Sequence, residues 1–149
     1  MHTRFSILLA SILLIMLFCG FSAAADKTAG HPVVSEKGLY QVSHASQVDP
    51  VPLNTIHAWV VEVRDAQGKP VNDAQIDIDG GMPAHGHGLP TKPRVTDDLG
   101  DGRYLIDGLK FQMPGEWVID LTISAGSGVD KARIDLSLGT GSDHSGHQH

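Results

Sequence analysis

From Thr55 to Leu138 the hydrophobic residues recur at every second position, the period of a chain whose side chains alternate between two faces. The clearest run is Trp117 to Ala125, where Trp117, Ile119, Leu121 and Ile123 fall on one face and Val118, Asp120, Thr122 and Ser124 on the other. Ile134, Leu136 and Leu138 alternate with Asp135 and Ser137 in the same way. Further strands are predicted over Ile56 to Val63, Val71 to Ile78, Arg94 to Asp97, Arg103 to Phe111 and Val129 to Leu138. Turn residues separate them: Asp65-Ala66-Gln67-Gly68, the long Gly80 to Pro93 loop, Gly100-Asp101-Gly102, Pro114-Gly115 and Gly126-Ser127-Gly128. No stretch carries a helical period. Many short strands with turns about every ten residues predict an all-β fold, an immunoglobulin-like antiparallel β-sandwich in a single domain.

The amino-terminal quarter differs. Met1 to Arg4 supply a positive start, Phe5 to Phe21 an apolar run, and Ala23-Ala24-Ala25 the small residues of a cleavage site, so residues 1–25 read as a secretory signal. The alternative is an uncleaved membrane anchor, because the run approaches the ~18 residues a spanning helix needs. Phe18 is too bulky before Cys19 for a lipoprotein site. Removing residues 1–25 from the 149 takes away the single cysteine and changes the net charge from −6 to −7. What remains has no disulfide, no thiolate nucleophile and no cysteine zinc site, and its acidity disfavours nucleic acid and anionic membranes. Residues 26–50 are polar and read as a flexible leader that contributes at most a short edge strand near Leu39 to Val42; residues 51–138 form the domain. Residues 139–149 read as a Gly/Ser-rich flexible tail carrying His144, His147 and His149. His31 and His44 stand singly in the leader and are expected to be solvated.

Chemistry concentrates in Gly80-Gly81-Met82-Pro83-Ala84-His85-Gly86-His87-Gly88-Leu89-Pro90. Imidazole nitrogen and thioether sulfur both suit copper, and thioether favours Cu(I). His85 and His87, two residues apart, share a face if the chain is extended. Met113, before the Pro114-Gly115 turn, joins the set if that turn lies at the same end of the sandwich. Met82, His85, His87 and Met113 are thus the candidate metal ligands, with His57 as an outer candidate and the tail histidines as a separate weak site. At least three of the four should converge if they act together. Against this stand the ordinary roles of methionine in cores and histidine in solvated loops. Asp97, Asp98 and Asp101 lack the spacing of a calcium loop and read as turn formers. No nucleophile elbow, phosphate-cradling helix start or fuller cupin-like ligand set accompanies the histidines, so no enzyme is predicted.

Three segments together resemble a known family: Asp65-x-x-Gly68-x-Pro70-Val71-x-x-Ala74, then Met82-Pro83-x-His85-x-His87-Gly88, then Phe111-x-Met113-x-Gly115-x-Trp117. The chain, from about Leu39 to Ala125, is similar to the YtkA-like and FixH-like exported domains. The resemblance implies a small immunoglobulin-like sandwich, often found in copper-handling or respiratory-oxidase contexts. The function expected is a periplasmic or secreted copper-binding or copper-delivery protein, with the ion and a periplasmic or membrane-bound metalloprotein as partners. The alternative is an interaction module with no metal function, anchored if its signal is retained.

Overall fold

A computed structural model describes residues 31–139. Among them the chain forms nine strands: β1 (Val33–Val34), β2 (Tyr40–Ser46), β3 (His57–Asp65), β4 (Gln75–Met82), β5 (His87–Gly88), β6 (Arg94–Gly100), β7 (Arg103–Leu109), β8 (Gly115–Ala125) and β9 (Gly128–Leu138). They make two sheets, one in the order β1-β2-β3-β7-β6 and one in the order β5-β4-β8-β9, and neighbouring strands run antiparallel. The expected all-β sandwich is present. The longest ladder joins β8 to β9 without a break, from Gly115 opposite Leu138 to Ala125 opposite Gly128.

Alternation accounts for the core. Trp117, Ile119, Leu121 and Ile123 of β8 are buried, and from the other sheet Trp59, Val61 and Val63 of β3 and Tyr104 and Ile106 of β7 face them. At one end the rings of Trp59, Phe111 and Trp117 follow one another, with centroids 6.1 Å apart for Trp59–Phe111 and 5.2 Å, edge-on, for Phe111–Trp117. Such tilted pairs place the positive ring edge against the negative face.

Two departures from the sequence expectations have local causes. Residues 71–74 are not strand, because their polar groups are taken up elsewhere: Tyr104 Oη donates to the Val71 carbonyl at 2.6 Å and accepts from the Ala74 amide at 3.0 Å. Strand β4 therefore begins at Gln75. The second correction concerns the supposed leader. Residues 33–46 belong to the folded domain: β2 pairs with β3 along its full length, and Tyr40 and Val42 are fully buried. Asp130 on β9 anchors the preceding turn, accepting hydrogen bonds from Ser35 Oγ at 2.6 Å and from the amides of Lys37 and Leu39, while Tyr40 Oη donates to the Gly128 carbonyl at 2.6 Å. The apolar alternation in β2 stops after two residues because its next inward positions are His44 and Ser46, so only the short piece near Leu39 to Val42 was expected.

Candidate functional site

The expected long loop is instead a tight hairpin on the edge of the four-stranded sheet. Gly80 and Gly81 make it possible, because a Cβ on Gly80 would lie 2.3 Å from the Val118 carbonyl oxygen and one on Gly81 would lie 2.1 Å from that of His87. Pro83–His85 forms a single 3-10 turn, closed by the Gly86 amide donating to the Pro83 carbonyl at 3.3 Å, with Gly86 at φ +65°. Left-handed backbone of this kind suits glycine. The chain then returns as β5, with Met82 opposite His87 and Gly81 opposite Gly88, and the Leu89 amide donates to the Gly80 carbonyl at 3.1 Å.

This geometry brings His85 and His87 together. Both are exposed, and their rings lie 6.2 Å apart with planes inclined by 16°. Two imidazoles that bind one ion at a metal–nitrogen distance of about 2.0 Å have ring centres at most roughly 6 Å apart, so the observed spacing stands at the limit for a shared ion and requires one nitrogen of each ring to turn toward the other. His87 also stands beside a shallow depression of about 270 Å³, bordered by Asp79 and by the ion pair of Asp120 with Arg133.

The other ligands are placed differently. Met82 is buried, and its methyl group packs over Gly115, 2.7 Å from where a Cβ would stand there, so it belongs to the core beneath the hairpin. Met113 is half-buried against the core cluster; its carbonyl, not its sulfur, has the defined role, accepting from Trp117 Nε1 at 3.0 Å. The Phe111–Gly115 segment nevertheless reaches the Met82 end of the sandwich through Gly115. His57 is buried on β3 of the opposite sheet, with Nδ1 3.1 Å from the Thr55 carbonyl and its ring beside Phe111. It is separate from the hairpin. His144, His147 and His149 lie outside the described residues. No three His, Cys, Asp or Glu side chains converge among the described residues. Asp98 acts as a turn former, accepting from the Gly100 amide at 2.9 Å.

One histidine that the sequence placed in solvent is not there. The His44 ring stacks on Trp59, 4.7 Å between centroids and 24° between planes, and burial pushes its pKa below the usual histidine value. The signal was its even spacing from Tyr40 and Val42, which puts it on the inward side of β2.

A family model described as YtkA-like matches residues 40–122. The chain belongs to the YtkA-like family. No curated protein and no solved structure matches it. The YtkA-like match starts at the first residue of β2 and ends within β8, so it takes in strands of both sheets, the β4–β5 hairpin and the Met113 turn, and it omits β9. By the match as well as by the β2–β3 pairing, residues 40–50 are part of the YtkA-like domain.

Proposed function

We propose that this YtkA-like protein is an exported, non-enzymatic copper-binding protein that holds the ion at the tip of the β4–β5 hairpin. The observation that carries the reading is the exposed His85/His87 pair, whose 6.2 Å ring separation lets one ion bridge the two imidazoles once each turns a nitrogen toward the other. Two imidazole donors with no carboxylate beside them favour copper over the hard, oxygen-seeking cations. Backbone hydrogen bonds of the strand pair fix the hairpin, so the backbone positions that carry the two rings are set before an ion arrives. Met82 supports the hairpin from below, and half-buried Met113 packs against the same core. The apolar run and small-residue site in residues 1–25 support export to the periplasm. An exposed ligand pair on a surface hairpin is suited to handing the ion to a partner.

The test is anaerobic Cu(I) titration, against a chromophoric chelator, of the chain starting at Asp26. Two variants are compared, His85→Ala/His87→Ala and His144→Ala/His147→Ala/His149→Ala. The hairpin variant should lose at least about 100-fold in affinity, more than outer-shell changes usually cost. The tail variant should keep the tight site. Wild-type affinity in the hairpin variant overturns the proposal and leaves the hairpin as a docking element for a partner protein.

A further inference from the structure

In an antiparallel sheet with one wet face, hydrophobic and polar residues alternate along each strand, whereas a strand covered on both faces reads as a nearly continuous apolar run. Residues 56–61 read Ile-His-Ala-Trp-Val-Val, which is the second pattern. The sandwich accounts for half of it, since His57, Trp59 and Val61 are buried. By the same period Ile56, Ala58 and Val60 face outward, and Ile56 is 60 % exposed.

The strand register widens this outward column into a patch. Val60 stands opposite Ala45 on β2 and opposite Leu105 on β7, and Leu105 lies between the buried Tyr104 and Ile106, so the three share the outer face. Large side chains at Ile56, Val60 and Leu105 alternate there with small ones at Ala45 and Ala58. The charges around them balance: Glu62, Asp97 and Asp107 against Arg64, Arg94 and Arg103, with Glu62 opposite Arg103 and Asp107 opposite Arg94 in the ladders. The outer face of the four-stranded sheet differs, for it sets Asp77, Asp79, Asp120 and Asp135 against Lys131 and Arg133.

These features select the partner. Copies of a chain with net charge −6 repel one another, and a face without net charge removes that repulsion locally. A balanced rim has no sign by which to recruit a strongly basic or acidic protein, but it matches itself, because a two-fold axis lays apolar centre on apolar centre. Stacked sheets lie about 10 Å apart, a distance that alternating large and small side chains fill by interdigitating. With strands ~4.8 Å apart and one outward residue every ~6.6 Å, each position covers roughly 30 Å², so the face offers about 400 Å² in plan. That is less than the roughly 800 Å² per partner of a standard stable complex, so the association is weak.

We propose that the outer face of the five-stranded sheet pairs two copies of this chain in a weak two-fold dimer, with Ile56, Val60 and Leu105 at its centre. The dimer is independent of the copper reading, since the hairpin belongs to the other sheet.

The test is sedimentation equilibrium of the chain starting at Asp26, in EDTA, from about 10 µM to about 1 mM, with a Kd of about 100 µM expected. Ile56→Lys, at a position already exposed and outside the strand ladders, should raise the Kd about tenfold or more, as should Val60→Lys/Leu105→Lys, with folding checked by circular dichroism. Thr122→Lys/Ser124→Lys adds charge to the outer face of the four-stranded sheet instead and should leave the dimer as it is. His85→Ala/His87→Ala should dimerise like the wild type. A monomer at about 1 mM, a Kd unmoved by Ile56→Lys, an equal loss in Thr122→Lys/Ser124→Lys, or a dimer lost with the hairpin histidines overturns the proposal.

Discussion

Replacing Trp117 by alanine tests the packing argument at its centre. The side chain is 1 % exposed, lies edge-on to Phe111 at 5.2 Å and donates from Nε1 to the Met113 carbonyl at 3.0 Å. A buried tryptophan removes roughly 150–250 Å² from water, worth about 4–6 kcal/mol at ~25 cal/mol per Å², of which alanine retains a small part. Loss of the N–H donor leaves the Met113 carbonyl to find water, at a cost of about 1 kcal/mol, and the aromatic pair adds about 0.5–1.5 kcal/mol. These terms overlap, and the neighbours relax partly into the vacated space, so the expected loss is about 4–5 kcal/mol, at the upper end for tryptophan truncations. For a domain of this size with a total stability of about 5–15 kcal/mol, the variant is close to unfolding. Urea unfolding of both proteins measures the difference, followed by circular dichroism and by fluorescence of Trp59, then the one tryptophan left in the chain. Trp117→Phe separates the contributions, because it keeps a ring in the core and loses the hydrogen bond; it should cost about 1–2 kcal/mol. A loss below about 1.5 kcal/mol in Trp117→Ala refutes the assignment of this residue to the core.

Gly80→Ala places a Cβ 2.3 Å from the Val118 carbonyl oxygen, a backbone atom that moves only if the β4–β8 pairing moves, so a loss of about 3 kcal/mol or more is expected by urea unfolding. Neutral behaviour of Gly80→Ala would show that the two strands do not approach as described. Acid unfolding probes Asp130: burial pushes its carboxyl up, yet the hydrogen bonds from Ser35 and from the Lys131, Lys37 and Leu39 amides outweigh that and hold its pKa at about 2. Since the folded value lies below the ordinary 3.8, its contribution is complete above about pH 4 and is lost as pH falls through about 2. Wild type should therefore exceed Asp130→Asn in stability at neutral pH, with the gap narrowing between pH 4 and 2; a gap independent of pH would contradict this network.

The strands that form the core were legible because one face of each is water-exposed and the other buried, which writes the period of two directly into β3, β8 and β9. The limits of legibility were equally physical. Only the start of strand β2, near Leu39 to Val42, was read, because His44 and Ser46 occupy its later inward positions and the pattern there lacks the apolar residues by which strands are recognised. Asn72 and Asp73 are turn-favouring residues that already argued against strand over Val71 to Ala74, but that the Tyr104 hydroxyl takes up the Val71 carbonyl and the Ala74 amide is a long-range contact no local pattern reveals. At the hairpin the nearness of His85 and His87 was legible, since proximity at a spacing of two is local. It could not separate the roles of the methionines, because whether a thioether faces solvent or core depends on Gly115, which arrives from another strand.

The narrow clearance around Gly80 and Gly81 divides the hairpin into a fixed stem and a replaceable tip. Contacts at the stem are between backbone atoms, whereas Pro83, Ala84, His85 and Gly86 face outward, and a Cβ added at Gly86 meets nothing within 4 Å. A different peptide can therefore be spliced between Met82 and His87 with the strand register preserved, provided its ends meet the same four backbone positions. The domain is in that respect a display scaffold, on which tip sequences with other metal preferences or partner specificities can be compared against one constant core.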